Sequence, residues 1–109
     1  MKVAIIGSRT LTVENLEDYV PTECTEIVSG GAVGIDRCAA YFARRKNLKL
    51  TEFLPEYDKY GRAAPIMRNY VIVDYADTVI AFWDGKSRGT KSVIKYCEKK
   101  NKTCKVYNI

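Results

Sequence analysis

Three short segments of this chain carry residue types that bind anions. The first is Gly7-Ser8-Arg9-Thr10, which follows the apolar run Lys2–Ile6. Gly7 lets the chain turn off a strand, and Ser8 and Arg9 place a hydroxyl and a guanidinium at its carboxyl end. A planar, permanently charged fork suits a phosphate or a carboxylate, although an ordinary turn with a surface arginine would look the same. The second segment, Ser29-Gly30-Gly31-Ala32-Val33-Gly34-Ile35-Asp36, has three glycines within five residues. Glycines admit positive φ and let backbone N–H groups approach a ligand, and a helix N-terminus beginning there adds an anion site. It is not a Walker A loop, since the lysine and following Ser/Thr are absent, and it does not fit G-x-G-x-x-G. Asp36 has two uses, as the cap of that helix or as a partner for a ribose hydroxyl, and capping is the simpler.

The third segment, Asp84-Gly85-Lys86-Ser87-Arg88-Gly89-Thr90, brackets three donors between glycines, with Thr90 opening the last helix. Donors, flexible backbone and a helix dipole meet there, as a phosphate requires. Between the second and third segments, Arg68 and Asn69 follow Pro65 early in a helix. They either lean toward the same crevice or are solvated.

The elements that position these segments alternate strand and helix. Strands are expected over 2–6, 25–29, 48–54, 77–82 and 103–108. Those that are apolar throughout read as buried on both faces. Helices are expected over 13–19 (capped by Thr12 and closed by Pro21), 34–47, 65–75 and from Thr90 onward, with a polar loop over 55–63. This pattern predicts a Rossmann-like three-layer αβα sandwich around a five-stranded parallel sheet. The favoured strand order is 3-2-1-4-5, with the flavodoxin-like 2-1-3-4-5 as the alternative. In the favoured order the loops after strands 1 and 4 meet at the switch point, where open α/β sheets bind ligands.

The whole chain bounds the function. Its 109 residues suit one domain, 1–109,. Hydrophobic residues make up 47% and charged residues 28%, which places it among folded globular proteins,. No apolar run approaches the ~20 residues of a membrane span, and the opening residues read as a buried strand rather than a leader. A cytoplasmic protein without membrane association is expected. There is no histidine, which removes Ser–His and Cys–His catalysis and most transition-metal sites,. Cys24, Cys38, Cys97 and Cys104 form no C-x-x-C pair and read as reduced, structural thiols, with Cys38 and Cys97 on apolar helix faces. No metal and no cofactor are expected. The net charge of +5 is uneven: Glu14, Glu17, Asp18, Glu23 and Glu26 crowd one segment, and eight lysines or arginines stand against Glu98 over 86–105. Such asymmetry favours an anionic partner or simply marks a solvated helix face.

The four segments together resemble the SLOG superfamily of Rossmann-like domains, which groups the DNA-processing protein A (Smf) proteins with the LONELY GUY phosphoribohydrolases. The likeness is to the small YspA-like branch: G-S-R after strand 1, S-G-G-A-x-G-x-D after strand 2, R-N on a helix, then D-G-x-S-x-G-T. The resemblance covers essentially the whole chain. It implies a nucleotide or nucleotide-derived ligand whose phosphate is held by Gly7, Ser8, Arg9, Ser29, Gly30, Gly31, Gly34, Asp36, Arg68, Asn69, Asp84, Gly85, Ser87, Arg88, Gly89 and Thr90. LONELY GUY enzymes carry P-G-G-x-G-T-x-x-E, whose glutamate serves glycosidic cleavage. Here that place is held by Val93, which can neither move a proton nor stabilise a cationic centre.

A sensor or carrier of a nucleotide-like small molecule is therefore the leading reading. A nucleoside-phosphate N-glycosidase is the alternative, with Asp36 and Asp84 as its only candidate catalytic carboxylates. Single-stranded nucleic-acid binding ranks third, because the last helix offers only Tyr96 for stacking. A homodimer is a reasonable arrangement for so small an α/β domain.

Overall fold

In the computed structural model, which describes residues 1–109, the sheet consists of five parallel strands. They are β1 (Lys2–Gly7), β2 (Glu26–Ser29), β3 (Lys49–Glu52), β4 (Thr78–Trp83) and β5 (Cys104–Asn108). The order is 3-2-1-4-5. The flavodoxin-like alternative is excluded, because β1 has β2 on one side and β4 on the other, leaving no place for β3 beside it.

Strand alternation builds two cores. Val3 and Ile5 of β1, Ile27 of β2 and Phe82 of β4 face one side, where they pack on Ile35, Ala39, Phe42 and Ala43 of α1 (Ile35–Arg45). Ala4, Ile6, Val28 and Val79 face the other side, against α3 (Ala64–Tyr75) and α4 (Arg88–Lys99) through Ile72, Val73, Val93 and Cys97. Each fully buried side chain of this size contributes roughly 1.5–3 kcal/mol. Pro65 sits in the first turn of α3, where its missing N–H costs nothing,. No helix is long and apolar enough to cross a membrane.

Three elements depart from the sequence expectation. No helix forms over 13–19; a single 3-10 turn, Leu16–Asp18, follows Asn15, and Thr12 caps nothing. Val13, Leu16 and Val20 still bury themselves in the first core. Between β-branched Val13 and Pro21 the segment is too short to propagate a helix, so packing holds it instead. The expected loop over 55–63 contains α2 (Tyr57–Tyr60) and a 3-10 turn, Gly61–Ala63, with Lys59 and Tyr60 amides donating to the Glu56 carbonyl. Finally, α4 begins before Thr90. Ser87 is its N-cap, accepting the Thr90 N–H at 3.4 Å, so Gly89 lies within the first helical turn.

Candidate functional site

The sheet register builds the site. Gly7 pairs with Phe82, so the segments after β1 and β4 leave the sheet side by side, and the Ser8 amide donates to the Phe82 carbonyl at 3.3 Å. The segment after β2 is pressed against the first of them. Gly34, at φ 72°, turns the chain into α1 with its α-carbon against the backbone of Arg9, leaving no space for a side chain.

The result is a crevice of about 340 Å³ at the carboxyl ends of the strands. It gathers Gly7, Ser8 and Arg9 from the first segment, Gly30 and Asp36 from the second, and Arg68 and Asn69 from α3. Asp84, Ser87, Gly89 and Thr90 complete it from the segment after β4. Five sequence candidates do not line it. Ser29 is fully buried, its Oγ accepting the Gly31 amide at 3.5 Å. Gly31, Gly34 and Gly85 shape their loops at positive φ. Arg88 lines a separate groove, because at the first position of α4 it points away while Gly89 and Thr90 point in. The sequence reading missed Thr10, Ala32, Val33 and Pro65, all neighbours of flagged residues. It also missed Ile6 and Ile72, which periodicity marks only as core.

Arg68 and Asp36 meet across Gly30, with their charged atoms more than 4.0 Å apart. Arg68 Nη1 donates to the Gly30 carbonyl at 2.6 Å and to the Phe53 carbonyl at 3.3 Å, and its Nε donates to Asn69 Oδ1 at 2.9 Å. The two Nη2 protons have no protein acceptor. A β-carbon on Gly30 would lie 2.5 Å from Arg68 Nη1 and 2.9 Å from Asp36 Oδ2, so only glycine permits this meeting. Asp36 does not cap α1: the N-cap is Gly34, and Asp36 Oδ2 instead accepts the Ala32 amide at 3.1 Å. Burial pushes the Asp36 carboxyl above its ordinary pKa, against the pull of the Ala32 amide and of Arg68,. Burial likewise bears down on the Arg68 guanidinium, and Asp36 offsets it.

Asp84 is the opposite case. Its Oδ1 accepts the Lys86 and Ser87 amides, both at 2.8 Å, in a turn that also fixes the start of α4. These bonds, the Ser87 amide first, hold its carboxyl below the ordinary range. Trp83 Nε1 fastens the same turn, donating to the Ser87 carbonyl at 3.0 Å.

Beside the free Asp84 Oδ2 and Asp36 Oδ1, several cationic or donor groups remain unengaged. The Arg88 and Gly89 amides at the start of α4 have no protein acceptor, as helix geometry dictates,. Arg9 is exposed and has no carboxylate within 4.0 Å. Ser8 is 4% exposed and its buried hydroxyl makes no hydrogen bond of acceptable geometry, although the Asp84 carboxylate lies close enough to feel it. Such an arrangement suits an oxyanion seated against a helix N-terminus.

Fold and site together define a Rossmann-like α/β protein with a donor-rich crevice at its topological switch point. No family model and no curated protein matches the chain. Among solved structures, DNA processing protein A from Helicobacter pylori is similar, with a TM-score of 0.73 at 24% identity, over 97% of this chain and 64% of that one. The chain thus spans a little under two thirds of that protein, whose structure describes a unique single-stranded DNA binding mode. The likeness establishes a shared fold.

Proposed function

We propose that the crevice binds the phosphate of a nucleotide or nucleotide-derived small molecule, and that the protein senses or carries this ligand. One observation carries the reading: the buried Ser8 hydroxyl, which makes no hydrogen bond of acceptable geometry and has only the Asp84 carboxylate nearby, lines the same crevice as the first turn of α4 and Arg9. A buried hydroxyl without a partner costs about 1–3 kcal/mol, which an incoming phosphate oxygen would recover. The motif likeness to the YspA-like branch of the SLOG superfamily supports the same ligand class. So does the single-stranded DNA bound by the Helicobacter pylori protein of the same fold, since that ligand is a string of nucleotides.

A hydrolase reading has one observation in its favour. Asp36 and Asp84 line one crevice and are shifted in opposite directions, as an acid–base pair would be,. Both carboxylates, however, are engaged by backbone amides. Val93, at the place of the LONELY GUY glutamate, is fully buried in the core beneath α3 and α4 and does not line the crevice. Binding without turnover is the outcome this predicts.

Two assays test the reading. Calorimetry with AMP, GMP, CMP and UMP should detect binding, weakened by roughly 1.5–3 kcal/mol in Arg9→Ala, the loss of one charge-assisted hydrogen bond. Chromatography after long incubation should find no free base. Base release that disappears in Asp36→Asn or Asp84→Asn would establish the hydrolase instead.

A further inference from the structure

The turn that ends α4 brings two of the four cysteines together, at the end of the sheet away from the crevice. The helix stops at Lys99, and Asn101, at φ 55°, reverses the chain in the left-handed region. The Lys102 amide donates to the Cys97 carbonyl at 2.9 Å, and the Asn101 amide to the Glu98 carbonyl at 3.2 Å. These are the paired bonds of a Schellman turn, which lays the outgoing chain back against the last turn of the helix. Two residues on, Cys104 opens β5 in register with Val79 of β4. Its side chain therefore faces the core that buries Val79 and Cys97, and it packs there. Cys97 is fully buried and Cys104 half-buried, both are free thiols, and the two side chains meet.

The other two cysteines are placed differently. Cys24 is buried, its Sγ donates to the Glu26 carbonyl at 3.5 Å, and burial pushes its thiol up. Cys38 Sγ accepts the Val13 amide at 3.5 Å. Each of these sulfurs is engaged by backbone, as a small core side chain would be. In the Cys97–Cys104 pair the partner is another sulfur, and the contact makes the two unequal. The Cys97 thiol is pushed up, first by that contact and then by burial, so it keeps its proton,. The same contact holds the Cys104 thiol down, against burial and the charge of Glu98. A half-exposed sulfur that gives up its proton, backed by a buried thiol, is the arrangement in which the outer sulfur meets an oxidant and the inner one closes on it.

We propose that Cys97 and Cys104 form a redox-modification site: a hydroperoxide oxidises Cys104, and Cys97 then closes a disulfide within the chain. In the first step the Cys104 sulfur attacks one oxygen of hydrogen peroxide. The S–O bond forms, the O–O bond breaks, and the departing hydroxide leaves as water with the Cys104 proton. Sulfur gives up an electron pair to become the sulfenic acid, and the peroxide takes it. In the second step the Cys97 sulfur attacks the Cys104 sulfur. The S–S bond forms, the S–O bond breaks, and hydroxide leaves as a second water with the Cys97 proton. The test adds a modest excess of hydrogen peroxide to the reduced protein, blocks remaining thiols with iodoacetamide, and maps tryptic peptides by mass without reductant. Cleavage after lysine separates residues 96–99 from 103–105. These two peptides should be recovered joined, lighter by two hydrogens than their sum, and dithiothreitol should part them. Cys104 should lose its thiol on the order of tenfold faster than Cys38, which is also half-buried but engaged by a backbone amide,. Cys97→Ser should halt the reaction at a sulfenic acid on Cys104, captured there by dimedone, and Cys104→Ser should leave Cys97 unmodified. Oxidation of Cys38 ahead of Cys104, dimedone on Cys97 in place of Cys104, or peptides 96–99 and 103–105 left unjoined would overturn the proposal. The map of the wild-type protein decides it even where a serine variant fails to fold.

Discussion

The two glycine-bearing loops that close the crevice are built in opposite ways. After β2 the loop is crowded: Asp36 holds the Ala32 amide, Arg68 holds the Gly30 and Phe53 carbonyls, and a side chain on Gly30, Gly31 or Gly34 would come within 3 Å of a neighbour. After β4, Gly85 and Gly89 face open space, and the Arg88 and Gly89 amides have no acceptor. The first loop is packed as scaffold, and the second keeps its donors in open space. Glycine density alone therefore does not mark the receptive loop. What distinguishes the two is the open space the fold leaves around the donors.

The largest effect should come from Gly34→Ala. A β-carbon there meets the Arg9 backbone, which cannot swing aside, at a φ that L-residues avoid. Strain and overpacking together predict a loss of about 3–5 kcal/mol in urea unfolding. A cost under ~1 kcal/mol would show that the loop yields.

Arg68→Ala comes next. It strands the Gly30 and Phe53 carbonyls and removes the nearby charge that partly offsets the burial of Asp36, so stability should fall by about 2–3 kcal/mol,. Lysine should recover only part of this, since a point charge cannot reproduce the guanidinium fork.

Asp36 sharpens the comparison through pH. Its folded pKa is raised, so its contribution to stability is fully present below the unfolded value of about 3.9 and is lost as pH rises through the folded value,. Unfolding free energies of wild type and Asp36→Asn, measured from pH 3 to 7, should differ in slope. The wild-type protein should lose ground as Asp36 ionises, and the asparagine variant should lack that component. Parallel curves would mean that burial does not govern this carboxyl.

The smallest effect lies in the other loop. Gly89→Ala puts a better helix former at an uncrowded position of the first turn of α4, and thermal or urea unfolding should show a gain of roughly 0.5–1 kcal/mol,. A loss of stability there would erase the contrast between scaffold and receptor.

Much of the fold was legible in the sequence because apolar strands buried on both faces leave an unmistakable pattern, and β1 and β4 are such strands. The segment 13–19 was not. Its spacing states which side chains face the core, and both a helix and a single 3-10 turn satisfy that. The site was legible as a set of segments rather than as roles. Starting α4 at Thr90 leaves Arg88 in the loop and facing the crevice, whereas starting it at Arg88 turns that side chain outward. The meeting of Asp36 with Arg68 across Gly30 joins residues far apart in the chain, and no local spacing announces it. The same holds for the Tyr70–Tyr96 stack, which supplies the aromatic partner that the last helix lacks by itself.

The central claim, that the receptive end of the crevice is the start of α4 with Ser8 and Arg9, can be read residue by residue. Amide resonances of the 15N-labelled protein should be followed while AMP, GMP, CMP and UMP are added in turn to millimolar concentration. At least one should produce saturable shifts, largest at Ser8, Arg9, Arg88, Gly89 and Thr90, with Gly31 and Gly34 nearly still. Silence at all five residues with all four nucleotides, or shifts confined to the loop after β2, would contradict the account.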